Sequence, residues 1–481
     1  MKKILALLLV FVLVLGLCAC APSEGGKEAA KGLQAGFARE SIMPPSGKIA
    51  LAGYGGAENR ISNSFLDTLY ATCVALSDGT TTILLYHLDL IYTPMDMAKA
   101  GQAVISEATG VPEDHILFAS THTHSAPAIN KKSTAAGIEA YEMFWQEQCI
   151  KAANAAIADL SPAQMSIGSI ELEGMNFVRH YIQENGNYVG SNFGDWNASP
   201  LVKHADVGDP EMQILKLARA AEDKKDILLM NWAAHPCLTD ESGAGTNLSA
   251  DYIATCRNYV EEQTGALFAF YLGAAGNQNT FSKITSEDNG LGYKAYGETL
   301  GKAMVDQLDK LTPVTDGPIQ TSVFTYESPI NKEHCDMVDL AKEVQQKEKD
   351  ADRAAANELA KSYGFSSTYH CNSVVTRSEL EGTTPIEIHA VSIGNFSWVN
   401  APYEMWAASC LSIKEQTPFD MTFVISCSGP HVGYIPTKDA YEYGCYESHT
   451  SKLSPGTAEA LVEQYVTMLN ELHTTALPAA E

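Results

Sequence analysis

The chain reads as an α/β protein, with a mixed α+β arrangement left open: a large single domain whose mixed sheets are flanked by helices and interrupted by a helical insertion. Three observations predict this. Short apolar runs rich in β-branched residues alternate with helix-length amphipathic segments along the whole sequence. The 481 residues exceed the ~250–300 at which one core stops growing, so the body needs lobes or a subdomain. At 45% hydrophobic and 19% charged, the composition is that of ordinary globular material.

The first element is not part of the body. Lys2 and Lys3 precede an apolar run from Ile4 to Leu17, and the chain turns polar at Pro22-Ser23-Glu24. That run is shorter than the ~20 residues of a bilayer crossing, so residues 1–19 read as a secretory signal. Leu17-Cys18-Ala19-Cys20 resembles the bacterial lipobox, which implies cleavage before Cys20 and a diacylglycerol on its sulfur. An ordinary signal cut nearby is the alternative. Two acyl chains anchor stably where one is marginal, so the expected location is the outer face of a bacterial membrane. Residues 21–32 offer no large apolar side chains, and a flexible tether is placed at 20–35, ahead of a body spanning 36–476.

Charge and cysteines narrow the partners. A formal charge of −26 argues against nucleic acid and against a body lying flat on anionic lipid. Eleven cysteines contain no C-x-x-C pair and read as scattered buried thiols, with one or two disulfides left open. No internal repeat is visible in the sequence, and nothing in it bears on oligomeric state.

Within the body, strands are expected at 82–91, 116–120, 165–172, 212–217, 227–234, 267–272, 319–326, 386–399 and 422–427. Helices are expected at 95–109, stopped by Gly110, and at 141–160, 250–264, 293–311 and 457–472. Residues 332–362 turn charged and alanine-rich, which predicts an exposed helix or helical hairpin inserted between sheet regions, a solvated face without chemistry. The Asn- and Gly-rich stretch 184–200 reads as a long loop, the kind that often serves as a lid.

Three short segments could carry chemistry. Ala119-Ser120-Thr121-His122-Thr123-His124 follows an apolar strand, and in extended chain His122 and His124 would face one side. Two surface histidines would read the same way. Asn231-Trp232-Ala233-Ala234-His235-Pro236 again ends a strand on a histidine, which a core imidazole would also do. Asn400-Ala401-Pro402-Tyr403-Glu404 places a carboxylate after a strand, where Glu ordinarily complements a helix dipole. All three share one placement, the end of a strand, where α/β folds build their sites. Two histidines and a carboxylate form a common catalytic zinc set with one position open to water.

These marks resemble the catalytic domain of the neutral ceramidases. Thr121-His122-Thr123-His124-Ser125-Ala126-Pro127 is similar to that family's T-H-T-H-S-G-P segment. Met175-Asn176-Phe177-Val178-Arg179, Asp209-Pro210-Glu211, His235-Pro236, Gly273 to Asn279, Pro402-Tyr403-Glu404, Gly433-Tyr434-Ile435-Pro436-Thr437 and Gly444-Cys445-Tyr446-Glu447 follow in the family's order. The resemblance runs from about Gly36 to Leu472 and implies hydrolysis of N-acyl bonds with Zn2+ as cofactor. It makes His122, His235, Glu404 and Tyr434 the metal ligands. His124 becomes a proton carrier, and Arg179 and Tyr446 become donors at the reacting centre. Without it, Tyr434 would pass as a turn tyrosine and Arg179 as a surface arginine.

Two departures bear on the substrate. Gly276 stands where ceramidases carry a serine thought to contact the amide, so Gly276 and its neighbour Asn277 are the substrate-pocket candidates. Tyr403 replaces a glycine beside Glu404. The expected substrate is ceramide or another N-acyl lipid. A different amide or ester remains a rival, as does a non-catalytic lipoprotein that binds a substrate for a transporter.

Overall fold

The computed structural model describes residues 32–45, 48–54, 60–129, 138–239, 245–350 and 352–476. The expected signal sequence at 1–19 and the expected lipidation site Cys20 lie outside them. Two sheets, their central strands largely buried, account for the architecture. A large sheet contains β1 (Gln34–Ser41), β2 (Tyr70–Ser77), β3 (Thr82–Leu88), β4 (Ile116–Ser120), β5 (Ser161–Glu171), β6 (Glu211–Arg219), β7 (Ile227–Trp232) and β8 (Leu267–Leu272). Their order is β8-β7-β6-β5-β1-β2-β3-β4, and a short ninth strand, Thr312–Pro313, pairs with β5. A second sheet runs β9 (Ile319–Pro329), β10 (Thr383–Ile393), β11 (Phe396–Asn400) and β12 (Met421–Ile425).

The period-two alternation of each strand sorts its side chains into two layers. Along β3, Leu84, Tyr86 and Leu88 face helices α1 (Met95–Thr109) and α2 (Ile138–Ala158), where Trp145 and Ala152 meet them. Ile83 and Leu85 face the second sheet, where Ile393, Phe396, Trp398 and Phe423 close a sheet-on-sheet core. Helices α3 (Tyr252–Thr264) and α4 (Tyr293–Val305) cover β6, β7 and β8 in the same way.

Between β9 and β10, which pair antiparallel throughout, the chain leaves to form α5 (Val338–Lys349), α6 (Arg353–Ser362) and α7 (Thr368–Glu379). These three helices pack on a small core of their own around Val344, Ala360, Phe365 and Val374. Helices α8 (Ala407–Gln416), α9 (Lys438–Tyr443), α10 (Tyr446–Thr450) and α11 (Thr457–Ala476) follow. α8 and α11 cover the outer face of the second sheet, which completes a helix–sheet–sheet–helix stack.

One topological unit occurs three times although no sequence repeat marks it. β1, β2 and β3 pair antiparallel, and α1 then crosses over to set β4 parallel to β3. β5, β6 and β7 do the same, with α3 leading to a parallel β8. β9, β10 and β11 repeat it, with α8 leading to a parallel β12. A parallel pair brings two carboxyl ends side by side, so each unit delivers loops to one rim.

Two expected elements differ. Residues 386–399 form two strands, because Gly394 (φ 56) turns the chain where an added Cβ would strike the Thr315 carbonyl. Residues 184–200 are not one loop: Asn185-Gly186 closes a hairpin between His180–Gln183 and Tyr188–Gly190, and Leu201–His204 adds a third strand. No disulfide joins any two of the nine described cysteines, seven of which are buried. Among the described residues no helix is long and apolar enough to cross a membrane.

The fully buried Asp89 ties this core together. It bonds His87 (3.0 Å) and Arg257 (3.1 Å). Burial alone would push its carboxyl up, but Arg257 and His87 hold it down at about 2. Against an unfolded carboxylate near ~3.9, its stabilisation is complete above about pH 4 and is lost as pH falls through about 2. Melting temperature is therefore expected to drop steeply between pH 4 and 2. Asp89→Asn should lower stability by about 3–5 kcal/mol at neutral pH, by leaving Arg257 unpaired, and should flatten that acid limb. An unchanged limb in the variant would remove Asp89 as its source.

Candidate active site

The rim of the three units collects the candidate residues. His122 and His124 follow β4, His235 follows β7, Glu404 follows β11, and Tyr434 follows β12. Tyr434 pairs in register with Glu404 across a short parallel bridge. The extended geometry expected for His122 and His124 is not what brings them together. His122 has φ 67, a left-handed conformation that costs a non-glycine residue roughly 1–3 kcal/mol and persists only where its surroundings enforce it. Its amide bonds the Leu90 carbonyl and its Nδ1 lies 2.8 Å from the Ile91 carbonyl, so the loop after β3 imposes the turn.

The imidazoles are aimed by these backbone contacts. Nδ1 of His235 lies 2.6 Å from the Ala275 carbonyl. With Nδ1 of both rings committed as donors, each Nε2 presents a lone pair when its ring is neutral, the form that binds a metal. Both face the same Glu404 oxygen, Oε2, at 3.1 Å from His122 and 3.5 Å from His235. One nitrogen of each of His122, His124 and His235 lies within 4.8 Å of the others. His122 Nε2, both nitrogens of His124 and Glu404 Oε2 are buried and, among the described residues, make no aligned hydrogen bond. Buried lone pairs that face one another unsatisfied need a partner, and a cation between them satisfies them all. A nitrogen and carboxylate donor set suits zinc.

The electrostatics are those of a crowded, dry site. Burial would lower the His122 imidazole, but the Glu404 carboxylate raises it well above the usual range. Burial lowers His124 far below its ordinary value, and His122 and His235 add to the effect. Burial and then Arg179 hold His235 at about 4. Glu404, which burial alone would raise, is kept well below the carboxylate range by His122 and His235.

Arg179 is buried against this cluster. Its Nη1 lies 3.3 Å from His235 Nε2, and its Nη2 donates to the Tyr434 hydroxyl at 3.2 Å. The Tyr446 ring stands 5.7 Å from that of Tyr434. The structure thus brings His122, His124, His235, Glu404, Arg179, Tyr434 and Tyr446 to one place.

Gly276 and Asn277, the expected substrate-pocket residues, have packing partners in the structure. The Gly276 amide bonds the Met405 carbonyl, and Asn277 Oδ1 caps the α8 backbone at Ala407. Tyr403, feared as bulk beside Glu404, turns its ring into the core under α8 and α11 and is 1% exposed.

Neither a family model nor a curated protein sequence matches this chain. Solved structures do match. One is a ceramidase complexed with C2, with a TM-score of 0.65. Another is the neutral ceramidase from Pseudomonas aeruginosa, with a TM-score of 0.66. Each is 14% identical and covers 94% of this chain and 76% of its own. The fold is that of the neutral ceramidases.

Within this ceramidase fold, the sequence reading passed over several residues at the site. His431 lies 3.9 Å from Glu404 Oε1 and stacks on Tyr92. It too follows a strand, so the placement that singled out His235 would have found it. Cys427, with φ 50, sets its thiol 3.5 Å from His122 Nδ1. Tyr54 packs edge-on against His124 with centroids 4.9 Å apart. Tyr369 comes from α7 of the insertion: its hydroxyl bonds the Tyr54 carbonyl and its ring meets Tyr446. α7, which follows the stretch 332–362 expected to be a solvated face, therefore walls the site.

Proposed function

We propose that this protein is a zinc-dependent hydrolase of N-acyl amide bonds, tethered through residues 20–35 and a lipid on Cys20 to the outer face of a bacterial membrane. Ceramide or a related N-acyl lipid is its substrate. The observation that carries the reading is the convergence of His122 and His235 on the buried, unsatisfied Glu404 oxygen, in a fold shared with a ceramidase complexed with C2. His122, His235, Glu404 and Tyr434 would hold the ion. Zinc would supply Lewis-acid polarisation of the acyl carbonyl and a water of lowered pKa. His124, whose ring nitrogens are buried and make no hydrogen bond among the described residues, takes the proton of the attacking water and returns it to the leaving amine. Arg179 and Tyr446 donate hydrogen bonds to the charge that develops on the carbonyl oxygen. A membrane tether suits an amphiphilic substrate, since enzyme and lipid then share one surface.

The test is metal content and substrate choice measured together. The full chain in mild detergent is expected to carry about one zinc per chain and to release fatty acid from a short-chain ceramide. It should do so faster than from an N-acyl amino acid or a small soluble anilide. Cys20→Ser should move the protein out of the membrane fraction. Turnover confined to the soluble amides would replace the lipid with another amide as substrate. No zinc and no turnover on any of the three would sink the hydrolase.

A further inference from the structure

The guanidinium of Arg179 has a fixed orientation, and the group that fixes it lies on the far side from the histidines. Glu447, on the first turn of α10, is fully buried. Its Oε1 accepts from Arg179 Nε at 2.8 Å and also from Nη2. Its Oε2 accepts from His180 Nε2 at 2.8 Å. His180 is itself held, with Nδ1 3.2 Å from the Tyr443 hydroxyl and its ring between Trp406 and Phe193. The chain Tyr443–His180–Glu447–Arg179 thus runs from the half-buried Tyr443 to the cluster.

Geometry shows what this chain accomplishes. A carboxylate that engages Nε and Nη2 pins the plane of a guanidinium. The nitrogen it does not engage, Nη1, then points at His235 Nε2. A buried carboxylate costs several kcal/mol unless charged and hydrogen-bonded partners surround it. Here Arg179 and His180 occupy both oxygens and hold the acid well below its usual range. Cys445 lies close enough to join His180 and Glu447 in a metal-sized group. Those atoms already bond Arg179, Tyr443 and Ser448, so they leave no donor for a second ion.

We propose that Glu447, anchored by His180, is the positioning residue that aims Arg179 Nη1 at the acyl carbonyl. The proposal rests on the amidase reading for its chemistry and on the Arg179 contacts alone for its geometry. Glu447 also supplies the negative charge that lets a guanidinium stand beside a bound cation without net repulsion.

Glu447→Gln keeps the shape and removes the charge; His180→Gln removes the anchor. Kinetics on the short-chain ceramide, zinc content and the Nε–H resonance of Arg179, identified by its loss in Arg179→Lys, are followed in all three variants and the parent. The parent should show a slowly exchanging Arg179 signal. In Glu447→Gln that signal should vanish and kcat should fall about 100-fold, the scale of losing one positioned group. KM should stay within about threefold and zinc should be retained, which a merely structural defect would not spare. His180→Gln should give a smaller loss in the same direction. A persistent Arg179 signal in Glu447→Gln, or an unchanged kcat there while Arg179→Lys is inactive, would overturn the proposal. Absence of turnover in the parent would instead overturn the amidase reading, and the resonance would still decide whether Glu447 holds Arg179.

Discussion

His122→Asn is expected to abolish turnover, by at least about a thousandfold, and to strip the bound metal. Asparagine is the sharpest replacement because it tolerates the left-handed backbone that His122 adopts at φ 67. The loop after β3 therefore keeps its shape, and only the imidazole is lost. What remains of the proposed ligand set is His235, Glu404 and Tyr434, one donor short and with a single imidazole, too weak a set to keep zinc through purification. His235→Ala acts from the other side and also removes the contact to Arg179 Nη1. Metal analysis of the purified variants and fatty-acid release from the short-chain ceramide read both effects. Full metal and full activity in both variants would end the assignment of these residues as ligands. His431→Ala is the internal control. Its Nε2 reaches the other Glu404 oxygen at only 3.9 Å, so its loss should reduce metal affinity by no more than the 10–100-fold of an outer-shell partner.

These residues were legible in the sequence for a reason the fold makes explicit. Each of the three units ends in a parallel pair, and a histidine or carboxylate just past an apolar run is the linear trace of a side chain on that rim. The trace fails where the run itself is hard to see. β1 (Gln34–Ser41) carries Arg39, Glu40 and the small residues Ala35, Gly36, Ala38 and Ser41, and its partner β2 (Tyr70–Ser77) is partly threonine, alanine and cysteine. Neither stands out as apolar, so the first unit was read without two of its strands and the threefold topology stayed hidden. Asymmetry of loop length hides it further, since three helices interrupt one hairpin of the third unit.

Glu447 left no trace at all. Nothing in Gly444-Cys445-Tyr446-Glu447 distinguishes an acid paired with a distant arginine from one that complements a helix dipole. Arg179 and Glu447 are 268 positions apart, and only folding joins them. Tyr369 escaped for a related reason. α7 mixes Thr368, Asn372, Ser373 and Thr376 with Val374 and Val375, a pattern too polar and too β-branched to read as a helix. The charge around it in α5 and α6 suggested solvent, whereas the inner side of α7 faces Tyr54 and Tyr446.

Gly276→Ser, the substitution that would restore the ceramidase residue, is expected to damage the site instead of improving it. A Cβ at position 276 would come within 2.7 Å of the Glu404 and Met405 carbonyl oxygens. Both are backbone atoms of a buried strand, and neither has a rotamer by which to withdraw. Room for serine must come from displacing that strand, whose Glu404 side chain meets His122 and His235. Overpacking of this kind costs typically ~1–3 kcal/mol, so the melting temperature should fall. Metal affinity should fall about tenfold or more, because ligand position is set by the backbone that moves. Ceramide turnover should drop with it. Calorimetry, a zinc titration and the ceramide assay on one preparation distinguish this from the rival account, in which glycine is present because the substrate differs. On that account Gly276→Ser would keep its stability and its zinc and would gain activity on ceramide. The approach of Gly276 to Glu404 argues that glycine here serves the proposed metal site: this chain presses the loop after β8 directly against the strand that carries Glu404, and a side chain between them would separate the two units that meet there.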